Sequence, residues 1–170
     1  MRSIGILAAT SLLSLLCAFG RPAPAQAQPR EGLSAPFAEL LGAYESIRAE
    51  LVRDRAEGIP ASARRMAAAA RRAAAAASEL ESGHLRSLAT AAERLAAIST
   101  TDFDALRRGF GEVSRPLVAL LGASPALARG LHVFECPMAS GYRKWVQRSE
   151  GISNPYMGTR MPRCGRRTQF

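Results

Sequence analysis

The sequence predicts a single all-α domain, an antiparallel four-helix bundle followed by an irregular C-terminal segment with a short β stretch. Three observations lead there. Apolar residues recur at helical spacing four times between residues 34 and 122. Gly, Pro, Ser and Thr interrupt that periodicity at short intervals. After Gly130 the pattern gives way to β-branched, aromatic and sulfur-bearing residues. Amphipathic helices joined by short connections bury their apolar stripes most simply against one another.

The first residues read as an export signal. Arg2 precedes an apolar stretch, Ile4 to Phe19, that is short for a membrane span and is followed by Ala23-Pro24-Ala25 and Ala25-Gln26-Ala27. That order of charge, apolar run and small-residue cleavage site is a secretory signal peptide, here residues 1–27. Cys17 is a poor lipid-attachment site because Leu16 stands where a small residue is wanted. The expected location is therefore periplasmic or secreted. Residues 28–33 form a linker and residues 34–170 one domain.

The helices follow in order. Phe37, Leu40, Leu41, Tyr44, Ile47 and Leu51 form the first stripe, with Ser34 as its cap and Pro36 in its first turn. Gly58-Ile59-Pro60 breaks it. A second helix is expected from Pro60 to Leu80, with Met66, alanines and Leu80 inside and Arg64, Arg65, Arg71 and Arg72 outside. Alanine has the best helix propensity and lets a neighbouring helix come close. Gly83 ends that region. The third helix is expected from His84 to Ile98, carrying Leu85, Leu88, Ala92 and Leu95. Thr101 caps the fourth, which carries Phe103, Leu106, Phe110, Val113, Leu117 and Leu120, and Pro116 is expected to kink or split it. Nothing polar is expected in the core.

Charge is uneven. The chain carries +9, of which Arg129 to the C-terminus contributes +6, from eight basic residues against Glu135 and Glu150. The tail is thus either a solubilising surface or a face for an acidic partner. Twenty-two of the 23 basic residues are Arg, which marks a compositional bias more than a recognition surface. Export and the lack of interleaved aromatic and basic residues disfavour nucleic acid. Without HExxH, GxSxG, a phosphate-binding glycine loop or CxxC, the expected role is non-enzymatic.

Chemistry concentrates between residues 131 and 165. Leu131 to Phe134 reads as extended, and residues two apart in an extended chain face one side, so Cys136 and Met138 can converge. Met161 and Cys164 lie three apart in a Gly/Pro-rich turn, with Met157 close by. Thiolate and thioether together select soft ions, above all Cu(I). The candidate ligands are Cys136, Met138, Met157, Met161 and Cys164. His132 and His84 read as a surface histidine and a helix-start residue. Alternatively, Cys136 and Cys164 form a disulfide, natural in an oxidising compartment, that closes about 29 residues and adds roughly 3.5 kcal/mol. Trp145 reads as a packing anchor, with a cation–π contact to an ion as the sharper alternative.

The run Cys136-Pro137-Met138-Ala139, then Trp145, then Ile152-Ser153-Asn154-Pro155-Tyr156-Met157-Gly158-Thr159-Arg160-Met161-Pro162-Arg163-Cys164-Gly165 resembles the signature of the domain of unknown function 3347 family. The resemblance extends from about Tyr44 onward, but only Cys136 to Gly165 is specific. It implies a periplasmic helical domain associated with heavy-metal handling, found free-standing or at the end of periplasmic adaptor proteins of copper and silver efflux pumps. By position it makes Cys136, Met138, Met161 and Cys164 soft ligands for Cu(I) or Ag(I), with an efflux or envelope protein as partner. A fold that requires no metal is an equal expectation. Two departures matter: Met157 replaces an aromatic, and Glu135 replaces a histidine that some members carry.

Overall fold

The computed structural model describes residues 31–170, so the expected signal peptide and residues 28–30 of the expected linker lie outside the described residues, while residues 31–33 belong to the first helix. Among them stand four helices, α1 (Glu31–Val52), α2 (Ile59–Ala76), α3 (Glu79–Ala96) and α4 (Phe103–Ala123), then three strands, β1 (His132–Glu135), β2 (Lys144–Gln147) and β3 (Arg166–Thr168). The strands form an antiparallel sheet in the order β2-β1-β3. The fold is helix-rich rather than all-α: the extended stretch expected near Leu131 is β1, and β2 and β3 join it. No helix among the described residues is long and apolar enough to cross a membrane.

The apolar stripes fall where the periodicity puts them. Leu40, Ile47, Met66, Ala73, Leu85, Leu95, Phe110 and Leu117 are fully buried. The boundaries differ for local reasons. Leu33 is buried and extends the first stripe backward, so α1 starts ahead of Ser34 and takes Pro36 into its interior. The second helix stops at Ala76 rather than Leu80, because Ala77 and Ser78 turn extended. There Ser78 and Glu81 form a reciprocal capping box that starts α3 afresh, which leaves Leu80 exposed and puts Gly83 and His84 inside α3. Asp102, not Thr101, caps α4 by accepting from the Ala105 amide at 2.8 Å. Pro116 does not split α4, which runs unbroken past it.

Each helix packs on its sequence neighbour, whereas α1 and α4 meet only narrowly and β2 packs on α4. Large side chains join α1 to α4. The Tyr44 and Phe110 rings lie 4.8 Å apart. The Tyr44 hydroxyl lies 2.7 Å from Ser114 Oγ and accepts from the Val146 amide at 3.2 Å, tying α1, α4 and β2 together. Burial pushes the Tyr44 hydroxyl pKa far up, which keeps it a neutral O–H group. The expectation of a core without polar groups is therefore corrected: Ser114, Gln147 and Asn154 are also buried, each with hydrogen-bond partners.

Candidate metal centre

Two tight turns bring the sulfurs together. Cys136 leaves the end of β1, and its carbonyl accepts from the Ala139 amide at 3.2 Å. The Met161 carbonyl accepts from the Cys164 amide at 3.1 Å. Pro137 and Pro162 each take the second position of their turn, where a fixed φ is already right. Because β1 pairs with β3 through Glu135↔Arg166, the sheet register sets the two turns side by side. Cys136 Sγ and Cys164 Sγ stand 3.7 Å apart as free thiols, Cys136 buried and Cys164 partly open.

This separation has chemical consequences. With metal–sulfur bonds of about 2.3 Å, sulfurs 3.7 Å apart subtend about 107° at a shared ion, a bite suited to three or four ligands. A linear two-coordinate ion would need them almost 1 Å further apart, about 4.6 Å. A disulfide would need them to close to about 2.05 Å. The hydrogen-bonded Cys136 thiol, with burial and repulsion from Cys136 in support, pushes the Cys164 pKa up. Ion binding must therefore displace the Cys164 proton.

The methionines differ among themselves. Pro137 and Met138 lie in a turn rather than an extended run, so the alternation argument for Cys136 and Met138 does not apply, and Met138 is 61% exposed. Met161 opens the second turn and is 38% exposed. Met157 is partly buried against the core. The structure thus brings the two cysteines into contact and places Met138 and Met161 at the surface, each in the turn of one cysteine. Among the described residues, no three His, Cys, Asp or Glu side chains cluster as a metal site, so no third ligand of those types joins the cysteine pair. His132 faces Arg167, with its Nδ1 at 2.6 Å from Nη2, and Glu135 pairs with Arg166 at 3.0 Å.

Asn154 organises this region, a role that its place in the signature run does not reveal. Its buried amide donates to the Cys164 carbonyl at 2.6 Å, and its Oδ1 accepts from the Tyr156 amide at 2.7 Å and the Met157 amide at 3.3 Å. Its backbone amide donates to the Pro162 carbonyl at 2.8 Å. The Tyr156 hydroxyl donates to the Lys144 carbonyl at 2.6 Å. A second anchor lies beyond it. The Asp54 carboxylate accepts from the Thr159 amide at 2.9 Å and pairs with Arg107. Gly158, at φ +55°, is the only residue type that fits there, since a Cβ would overlap the Asp54 carboxylate.

Trp145 is fully buried, stacked on Phe134 at 5.6 Å and edge-on to Tyr156 at 6.0 Å, with Nε1 donating to Gln147 Oε1 at 2.9 Å. Its partners are those of a packing anchor. Gly165 lets the chain after Cys164 pass close over the ring, where a Cβ would lie 2.9 Å from Cη2.

Neither protein-family models, nor curated proteins, nor solved structures yield a match to this chain.

Proposed function

We propose that this is an exported, non-enzymatic protein that binds a soft ion, Cu(I) or Ag(I), in heavy-metal handling or efflux, as a member of the domain of unknown function 3347 family. The observation that carries this reading is the pair of free thiols 3.7 Å apart, one buried and one open to approach. A surface thioether stands in each adjoining turn. Cys136 and Cys164 are the primary ligands, and Met161, Met138 or Met157 completes a coordination that the narrow bite favours. The short helix connections are read as those of an antiparallel bundle that supports the sulfur-bearing segment. The test is an anaerobic titration of reduced protein with Cu(I) against a competing chelator. One equivalent should be held, and Cys136→Ser with Cys164→Ser should lose at least a hundredfold in affinity. Failure to compete, or indifference to both substitutions, overturns the reading.

A second reading rests on the same distance and on the exposed Arg143, Arg148, Arg160, Arg163, Arg166 and Arg167 of the C-terminal segment. Here a Cys136–Cys164 disulfide staples an interaction module that docks on an acidic envelope partner. Intact mass after alkylation, on protein taken directly from the exported compartment, separates the two. Two added alkyl groups support the metal reading; none supports the staple.

A further inference from the structure

Away from the sulfur pair, the surface between α3 and α4 opens into a groove of about 570 Å³, within the range of small-molecule sites. The helices are pinned together at both ends of it. At one end Leu95 and Ile98 lean over Gly109, where a Cβ would come within 2.7 Å of Ile98 Cδ1. At the other, Ser124 Oγ donates to Glu81 Oε1 at 2.9 Å. Between these pins the small side chains Ala91 and Ala119 leave the gap unfilled.

The lining is apolar at its base and cationic at its edges. Ile98 and Pro116, with Ala91 and Ala119, supply apolar surface, and the buried Leu95 backs it. Arg94 comes from α3 and Arg115 from α4. Arg94 has no carboxylate partner among the described residues. Arg115 meets Glu112 at 3.2 Å, but both side chains are more than half exposed, and a pair of that kind holds weakly. The Arg115 guanidinium also rests on the Tyr142 ring at 4.7 Å, which steadies it at the rim. Among the lining residues two cations stand against one carboxylate, Glu112, beside an apolar floor, and Glu81 lies beyond the lining at the Ser124 end.

We propose that this groove binds an amphipathic monoanion, an acyl chain ending in a carboxylate, with the chain on the apolar floor and the carboxylate at Arg94 and Arg115. Charge selects the head group and the floor selects the tail. Affinity should therefore rise with chain length, by about three- to fourfold per CH₂ buried. The site shares no residue with the sulfur pair, so it stands or falls independently of metal binding.

Isothermal titration with decanoate, decanol and decyltrimethylammonium, all below their aggregation concentrations, tests this. Decanoate should bind at least tenfold tighter than the alcohol, and the cation should not bind. Arg94→Gln with Arg115→Gln should weaken decanoate at least tenfold without changing the melting temperature appreciably, since both side chains are exposed. Ala91→Trp should block the groove. Cys136→Ser with Cys164→Ser should bind decanoate like the parent. Equal affinity for alcohol and carboxylate, no heat from folded protein, or indifference to the arginine substitutions overturns the proposal. Loss of binding in the cysteine variant overturns the placement between α3 and α4.

Discussion

At the scale of single residues, the C-terminal segment is held by side chains that look unremarkable in sequence. Asn154 satisfies the buried Tyr156 amide, the partly buried Met157 amide and one carbonyl, which belongs to Cys164. Replacing it by alanine strands those groups, each at about 1–3 kcal/mol. Asn154→Ala should therefore lose about 2–4 kcal/mol in denaturant unfolding. It should also speed alkylation of Cys164, because the turn carrying that thiol loses its tether. An unchanged alkylation rate would show that the sheet alone positions Cys164. Gly158 makes a comparable case. Gly158→Ala meets both a left-handed φ and the Asp54 carboxylate, so a loss of about 2 kcal/mol or more is expected, read as a drop in melting temperature.

At the scale of elements, helix periodicity is legible because buried and exposed positions repeat every turn. The ends are less legible because they depend on which of several polar residues captures free amides. Between α2 and α3 the alanine run continues past Ala76, and propensity alone would carry the helix onward. Ser78 and Glu81 win by satisfying amides that a continuous helix would leave to its own ladder. Ser78→Ala should then cost about 1 kcal/mol, measurable as a shift of the urea midpoint with an unchanged slope. Pro116 shows the opposite case. The sequence argues for a break, but Leu117, Leu120 and Leu121 are buried beyond it, and that burial outweighs one missing hydrogen bond.

At the scale of the whole molecule, long-range ties bind the sulfur-bearing segment to the helices, Arg48 donating to the Ser153 carbonyl at 3.0 Å among them. Tyr44 and Ser114 tie β2 to α1 and α4, and Asp54 with Arg107 ties the loop at Thr159 to the α1–α2 connection and α4. Partial burial acts to raise the Asp54 pKa. Hydrogen bonds from Thr159 and the charge of Arg107 outweigh it and hold the carboxyl below its ordinary value of 3.8. A depressed carboxyl stabilises the fold above the unfolded pKa, and that contribution disappears as pH falls through the folded pKa. The melting temperature should thus fall as pH drops below about 4. Asp54→Asn should lower it at neutral pH and flatten that acid limb. A variant that keeps the full acid dependence would mean other carboxylates set it.

By itself the sequence determined the helical stripes and gathered the candidate chemistry into one stretch, because helical periodicity and soft-ligand residue types are local properties. It also singled out Cys136 and Cys164 as partners, since no other cysteines occur beyond Cys17. Tertiary structure alone decided that the tail is a sheet rather than an irregular appendage, because strands of three or four residues are stable only when paired, here with β2 packed on α4. It decided the 3.7 Å spacing through the β1–β3 register and the Asn154 tether. It also put Met138 and Met161 at the surface, because the turns that fix the cysteines point their remaining residues toward solvent. Distances between residues 28 apart in sequence come from closed loops and shared hydrogen bonds, which no local pattern encodes.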